Sequence, residues 1–343
     1  MSRSARSLLL IGYTWAGLMG PTGSALGQEP QGPDPRIGVL LAVGDFMSCD
    51  GASRLHARDN VTTMVREISA AREKGLPVAI LMLGDLAYDH GSKRDFECFE
   101  EEVVVELSKA LPDPRTALMP VPGNHDMETN FGKWFYVAFR DNRWVGDGRP
   151  GDDKGYYSAA FPDGMAGGAW RLLGINSQID TNAGSRQYRW LKRTLDGITE
   201  RCILAFWHMP VFSSGYHGHD ESEDYQRAKP VKQGKLSPIF DLLYAARSSL
   251  ILNGHDHNFE HLAPHNSAGK AVDGGLRAFI VGTGGMQLRR EYKEKLDLKV
   301  DFDAKNYGFL KIDLYPDRYD WHFLKAGTSS NPLHAGSGTC NTR

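Results

Sequence analysis

The chain of 343 residues is long enough to bury one large core or two modest ones. Its 40 basic and 42 acidic residues nearly cancel, which excludes a surface built to neutralise nucleic-acid phosphates. The 38 glycines point to tight turns and close backbone approaches.

The amino terminus reads as an export signal. Arg3 and Arg6 precede an apolar run from Leu8 to Met19, and Ala25-Leu26-Gly27 offers small residues for cleavage. Residues 1–27 are therefore expected to be removed, leaving a mature net charge of −4 and a periplasmic or extracellular protein, or one in a lysosome-like compartment if the source is eukaryotic. The apolar run is shorter than the roughly 20 residues that span a bilayer, so no stable span is expected after cleavage. Residues 28–35 read as a Pro/Gly-rich flexible leader, 36–330 as the catalytic domain and 331–343 as a tail. Sequence leaves the oligomeric state open.

In chain order, Ile37 to Val43 reads as a strand. From about Arg58 to Lys74, Val61, Met64, Val65 and Ile68 share one helical face. A strand at Val78 to Leu83, a helix from about Phe96 to Ala110 and a strand at Thr116 to Val121 follow. Further strands are expected at Tyr156–Phe161, Trp170–Ile175, Ile203–Trp207, Ser249–Leu252, Ala278–Val281 and Phe309–Leu314. Between Ser185 and Leu195 a helical face is lined by Tyr188, Leu191 and Leu195. Many strands with few long helices predict an α/β core of two mixed sheets. Residues 141–154 and 213–235 are polar, charged and Gly-rich, as loops are.

Five short stretches each place chemistry just after an apolar run: Gly44-Asp45, Gly84-Asp85-Leu86-Ala87-Tyr88, Gly123-Asn124-His125-Asp126, His208, and Gly254-His255-Asp256-His257. Their carboxylate, amide and imidazole donors contain no thiolate, which suits zinc, iron or manganese in a catalytic site. Strand ends fix such ligands on one face while loops leave coordination positions open. The two histidines of the last stretch need a turned backbone if each is to reach a different ion. A carboxylate shared by two cations would hold them at the separation that supports hydrolysis of a phosphoryl group. The remaining histidines His56, His90, His261, His265, His322 and His334 read as ordinary hydrogen-bonding side chains.

The four cysteines Cys49, Cys98, Cys202 and Cys340 permit three complete pairings. Cys49 and Cys98 each follow a ligand-bearing stretch, so a bridge between them would brace that face. Cys202 opens the run Ile203-Leu204-Ala205-Phe206-Trp207 and reads as a small buried hydrophobe.

The motif order GD, GDxxY, GNHD, H, GHxH resembles the calcineurin-like metallophosphoesterases, and within them the purple acid phosphatases. Tyr88, three residues after Asp85, carries the narrower resemblance, because a tyrosine there binds a ferric ion in that family. Met47 stands where the other branch of the superfamily places a histidine. The stretches His208 to Ser213 and Gly254 to Leu262 are similar to the small, tartrate-resistant type.

The resemblance implies a four-layer sandwich, two mixed β-sheets flanked by helices. It implies a ferric ion held by Asp45, Asp85, Tyr88 and His257, with a divalent ion (iron, zinc or manganese) held by Asp85, Asn124, His208 and His255. Asp85 is then the bridge, and Asp126 orients its motif. His125 would contact phosphate and protonate the leaving group, assisted by His217 or His219. The expected activity is hydrolysis of a small phosphomonoester or a phosphoprotein, with a hydroxide at the ferric ion as nucleophile. Competing readings are a phosphodiesterase or nucleotidase on the same scaffold, a binding protein that has kept only the fold, and a hydrolase acting on a carbonyl centre. The loops 141–154 and 213–235 match no family pattern, so substrate preference stays open.

Overall fold

The computed structural model describes residues 35–145, 154–162, 169–216, 235–291, 296–327 and 331–341. The expected signal, and His217 and His219, lie outside the described residues. In chain order the elements are β1 (Gly38–Val43), β2 (Met47–Ser48), α1 (Ala52–Glu73), β3 (Val78–Met82), β4 (Ala87–Tyr88) and α2 (Lys93–Phe99). A π-helical turn at Glu100–Val104 leads into α3 (Val105–Ala110), then α4 (Pro114–Ala117), β5 (Leu118–Pro120), α5 (Asn124–Glu128) and α6 (Lys133–Ala138). Next come β6 (Tyr157–Phe161), β7 (Trp170–Gly174), α7 (Arg186–Gly197), β8 (Cys202–Phe206), α8 (Ser237–Ala245) and β9 (Leu250–Asn253). The described chain closes with β10 (Phe259–His265), β11 (Leu276–Val281), β12 (Lys299–Asp303), β13 (Gly308–Leu314), β14 (Arg318–Lys325) and β15 (Pro332–Thr339).

Two mixed sheets form, as the pattern of apolar runs predicts. The first has the order β15-β14-β13-β1-β3-β5, with β1, β3 and β5 parallel and β13 antiparallel to β1. The second has the order β12-β10-β11-β9-β8-β7-β6, with β7, β8, β9 and β11 parallel. All six residues of β1 are buried, as a central strand covered on both faces requires.

Two packed cores account for the layers. Val39, Leu41, Ile80, Leu172, Leu204, Leu252 and Phe279 share one core, together with Val61, Met64 and Ile68 of α1. Leu173, Ile203, Ala205 and Ile251 fall on the opposite face of the second sheet and pack against Leu191 of α7 and Ile239 and Leu243 of α8. Alternate residues of β7 and β8 thus enter different cores, the period of two that a strand imposes.

Several boundaries differ from expectation for local reasons. Helix α1 begins six residues before Arg58, and its first turn gives no sequence signal because its large apolar side chain, Leu55, is exposed and lies off the buried stripe. Helix α2 begins at Lys93, where the Ser92 hydroxyl accepts from Asp95 N and the Asp95 carboxylate accepts from Ser92 N. Strand β10 contains Pro264, at the point where its ladder to β11 shifts register between Leu262 and His265.

Two expectations are corrected outright. The stretch read as a tail supplies β15 at the edge of the first sheet, and Cys340 just beyond it is disulfide-bonded to Cys202 of β8. Cys202 is therefore a cross-link between the two sheets rather than a simple hydrophobe. Cys49 and Cys98 carry free thiols in this structure, so the bridge expected between them is not formed in it.

A candidate dinuclear metal centre

Every motif stretch lies at the carboxyl end of a parallel strand: Asp45 after β1, Asp85 after β3, Asn124 after β5, His208 after β8 and His255 after β9. The two sheets are laced together there, with Gly44 N donating to the Val281 carbonyl at 2.9 Å and Gly284 N to the Gly44 carbonyl at 3.0 Å. Asp45, Asp85 and His255 all adopt positive φ, at 59°, 49° and 73°. Non-glycine residues hold that conformation only where the surroundings impose it, and it turns each side chain sharply off its strand toward the opposite sheet.

Close approach is paid for by the glycines. A Cβ on Gly123 would lie 2.0 Å from Asp85 Oδ1, and one on Gly84 would lie 2.8 Å from the His208 ring. Only hydrogen fits at either position.

The side chains form two nests that share Asp85. In one, the Tyr88 hydroxyl lies 2.9 Å from Asp85 Oδ2, 3.0 Å from Asp45 Oδ1 and 3.2 Å from His257 Nε2. In the other, His208 Nε2 lies 3.2 Å from Asp85 Oδ2, 3.1 Å from Asn124 Oδ1 and 3.1 Å from His255 Nδ1. Asp85 Oδ2 belongs to both. Candidate ligand atoms of Asp85, His208 and His255 all fall within 4.8 Å of one another. His255 and His257 reach different nests, as their turned backbone anticipates.

Backbone carbonyls set the imidazole tautomers. His208 Nδ1 donates to the Leu83 carbonyl at 2.9 Å and His257 Nδ1 to the Gln287 carbonyl at 2.9 Å. Each Nε2 is thereby left with its lone pair toward the cluster. The Asp126 carboxylate, wholly buried, accepts from Leu86 N, Ala87 N and Gly123 N at 2.9–3.2 Å. It locks the Asn124 turn onto the Asp85–Tyr88 turn. None of these carbonyl partners has a signature in the sequence.

Electrostatically the buried carboxylates of the cluster are balanced by imidazoles. Asp45 and Asp85 are 0% and 1% exposed, and their ion-pair partners among the described residues are histidines. Burial, and then the Asp85 and Asp45 carboxylates, push the Tyr88 phenol well above its ordinary range. Burial would depress His208, yet the Asp85 carboxylate outweighs it and raises the imidazole to about 9. Burial likewise opposes the Asp85 carboxylate, and His208, His125 and His255 overcome it and hold the carboxyl well below its usual range. Two buried carboxylates, a phenol and three imidazoles competing for protons at 3 Å spacing fit a pair of cations, which would replace those protons with fixed positive charge.

His125 stands apart. Its side chain is 32% exposed, its Nδ1 donates to the Asp89 carbonyl, and its Nε2 lies 4.0 Å from Asp85 Oδ2. Glu128, which the motifs did not reveal, contacts His125 Nδ1 at 3.4 Å and His90 Nδ1 at 2.6 Å, forming the rim beside it.

The sequence pattern of the calcineurin-like phosphoesterases matches residues 39–259, which contain every candidate ligand. The chain belongs to the calcineurin-like phosphoesterase family. Within this phosphoesterase family, purple acid phosphatase 15 of Arabidopsis thaliana is 26% identical over 204 residues, 54% of this chain and 36% of the plant protein. Tartrate-resistant acid phosphatase type 5 of Sus scrofa is 24% identical over 327 residues, 85% of this chain and 84% of the pig protein. The solved structure of a purple acid phosphatase from yellow lupin (Lupinus luteus) seeds superposes with a TM-score of 0.66 at 15% identity, covering 90% of this chain and 55% of that one. The chain thus spans little more than a third of the plant relative. Family and relatives together imply a dinuclear metal centre.

Proposed function

We propose that this phosphoesterase hydrolyses phosphate monoesters at a centre of one ferric and one divalent ion (iron, zinc or manganese), as a purple acid phosphatase of the small tartrate-resistant-like type. The observation that carries this reading is the placement of Tyr88, 2% exposed, with its oxygen 2.9 Å from the shared Asp85 Oδ2. Asp45, Asp85, Tyr88 and His257 would hold the ferric ion, and Asp85, Asn124, His208 and His255 the divalent one. When bound, the pair supplies Lewis acidity that activates water and neutralises phosphoryl oxygens.

The protein's own groups do the rest. The Asn124 amide and His125 orient the phosphate at the open end of the cluster, and the buried carboxylates and apolar floor below it exclude bulk water. With Nδ1 fixed on the Asp89 carbonyl, His125 turns Nε2 toward the cluster and carries there the proton that the departing alkoxide or phenoxide needs. His217 or His219, outside the described residues, would assist it. The substrate is a small phosphomonoester or a phosphoprotein.

Location follows the same reading. The Cys202–Cys340 disulfide supports an oxidising compartment, in keeping with export after cleavage near residue 27. Among the described residues no helix is long and apolar enough to cross a membrane.

Comparing p-nitrophenyl phosphate with bis(p-nitrophenyl) phosphate on one metal-loaded preparation tests the reading. A kcat/KM at least tenfold higher for the monoester is expected; a higher value for the diester would replace it with a phosphodiesterase.

A further inference from the structure

The two cysteines outside the inter-sheet disulfide are free thiols near the candidate metal centre. Cys49 directly follows β2, whose Ser48 pairs with Tyr88, and Cys98 lies in α2. Two contacts seat the loop after β2 on that helix. Asp50 pairs with Arg94 at 3.3 Å, and the Cys49 thiol donates to the Arg94 carbonyl at 3.5 Å. Arg94 and Cys98 are four residues apart, hence one turn along the same helical face. The Arg94 carbonyl is also the acceptor one turn back from Cys98 N in the helix, so a thiol that donates to it lies beside Cys98, and burial, then the Cys98 thiol, push the Cys49 thiol up to about 12. Both cysteines are partly exposed, so a small oxidant can reach them.

We propose that Cys49 and Cys98 are an oxidative modification site, closing into a second disulfide that straps the loop after β2 to α2, the helix that follows Tyr88. The oxidant is a low-molecular-weight disulfide, for which glutathione disulfide serves as the probe. The Cys98 thiolate attacks the probe and displaces a glutathione thiolate, forming a mixed disulfide. Cys49 then attacks the Cys98 sulfur of that intermediate, giving up its proton, and releases the other glutathione. Two protein thiols lose two electrons and two protons in all, and one glutathione disulfide becomes two glutathione thiols. The ring so closed contains Asp85 and Tyr88. The site is independent of which metals the centre holds, and of whether the chain acts on monoesters.

The test uses the full chain without substitution. Protein purified with these two thiols reduced and the Cys202–Cys340 bridge intact is incubated with glutathione disulfide, alkylated and peptide-mapped. Alkylatable thiols are expected to fall from two per chain to none, with one peptide pair linked through Cys49 and Cys98. In Cys49→Ser the remaining Cys98 should instead retain one glutathione. Two thiols still alkylatable after incubation, a separate glutathione on each cysteine of the unsubstituted chain, or linkage to Cys202 or Cys340 would overturn the proposal.

Discussion

His265 is expected to make the fold sensitive to acid. It sits in β10 with no solvent exposure, stacked at 5.5 Å on Phe240 and edge-on at 5.1 Å to Phe212. Its Nδ1 donates to the Ala263 carbonyl at 2.7 Å, while Nε2 is buried without a hydrogen-bond partner among the described residues. Burial pushes the imidazole from its ordinary 6.5 down to about 4. Between those values the unfolded chain takes up a proton that the folded chain refuses, so stability falls as pH falls through that window and no further below it. The full displacement is worth about 3 kcal/mol, of which roughly 2–3 kcal/mol is lost by pH ~4.5. Replacing His265 by Phe keeps the aromatic contacts and sacrifices the Ala263 hydrogen bond, a cost of about 1 kcal/mol. Urea unfolding of both proteins should then show the variant about 1 kcal/mol less stable at pH ~7.5 and about 1–2 kcal/mol more stable at pH ~4.5. Other groups titrate alike in the two proteins, so their difference isolates this residue. A gap of the same size at both pH values would refute the reasoning.

Three further outcomes are expected. Asp126→Ala strands three buried backbone N–H groups and should cost about 3–5 kcal/mol in urea unfolding of the metal-free protein; a loss below ~1 kcal/mol would mean that the carboxylate does not hold the two turns together. For Glu102, the hydrogen bonds from Arg58 and Arg54 outweigh partial burial and lower its carboxyl to about 2. Its stabilising contribution is thus present above 4.5 and lost as pH falls toward 2, so the stability gap between the wild type and Glu102→Gln should shrink over that range, and a constant gap would contradict it. His125→Asn should lower kcat by about 10²–10⁴-fold on an alkyl phosphate and much less on p-nitrophenyl phosphate, whose leaving group needs no proton; equal losses on both would argue against proton donation by His125.

Much of the site could be read from the sequence because its side chains sit in fixed places relative to apolar runs. Asp45, Asp85 and His255 each follow a strand-end glycine, and those glycines are required by clearances such as 2.8 Å at Gly84 and 2.7 Å at Gly254. What stayed hidden are groups without a distinctive residue type. The Leu83, Asp89 and Gln287 carbonyls orient three histidines, yet any residue supplies a carbonyl. Glu128 reads as one more acidic residue until α5 brings it against His125 and His90. In the fold, the buried parallel strands announced themselves as apolar runs. The edge strand β15 did not, because Pro332 to Thr339 is mostly exposed and holds two glycines, and its place depends on β14 and on a disulfide 138 residues distant. Pairing of Cys202 with Cys340 rather than with Cys98 is a property of the assembled sheets, which spacing along the chain does not encode.

Metal content measured together with the visible spectrum tests the central claim most directly. Two ions per chain, one of them iron, should accompany a broad tyrosinate-to-ferric absorption that disappears in Tyr88→Phe while the fold is kept. A colourless protein holding two zinc ions, or a visible band that survives loss of the Tyr88 oxygen, would contradict the ferric–divalent centre.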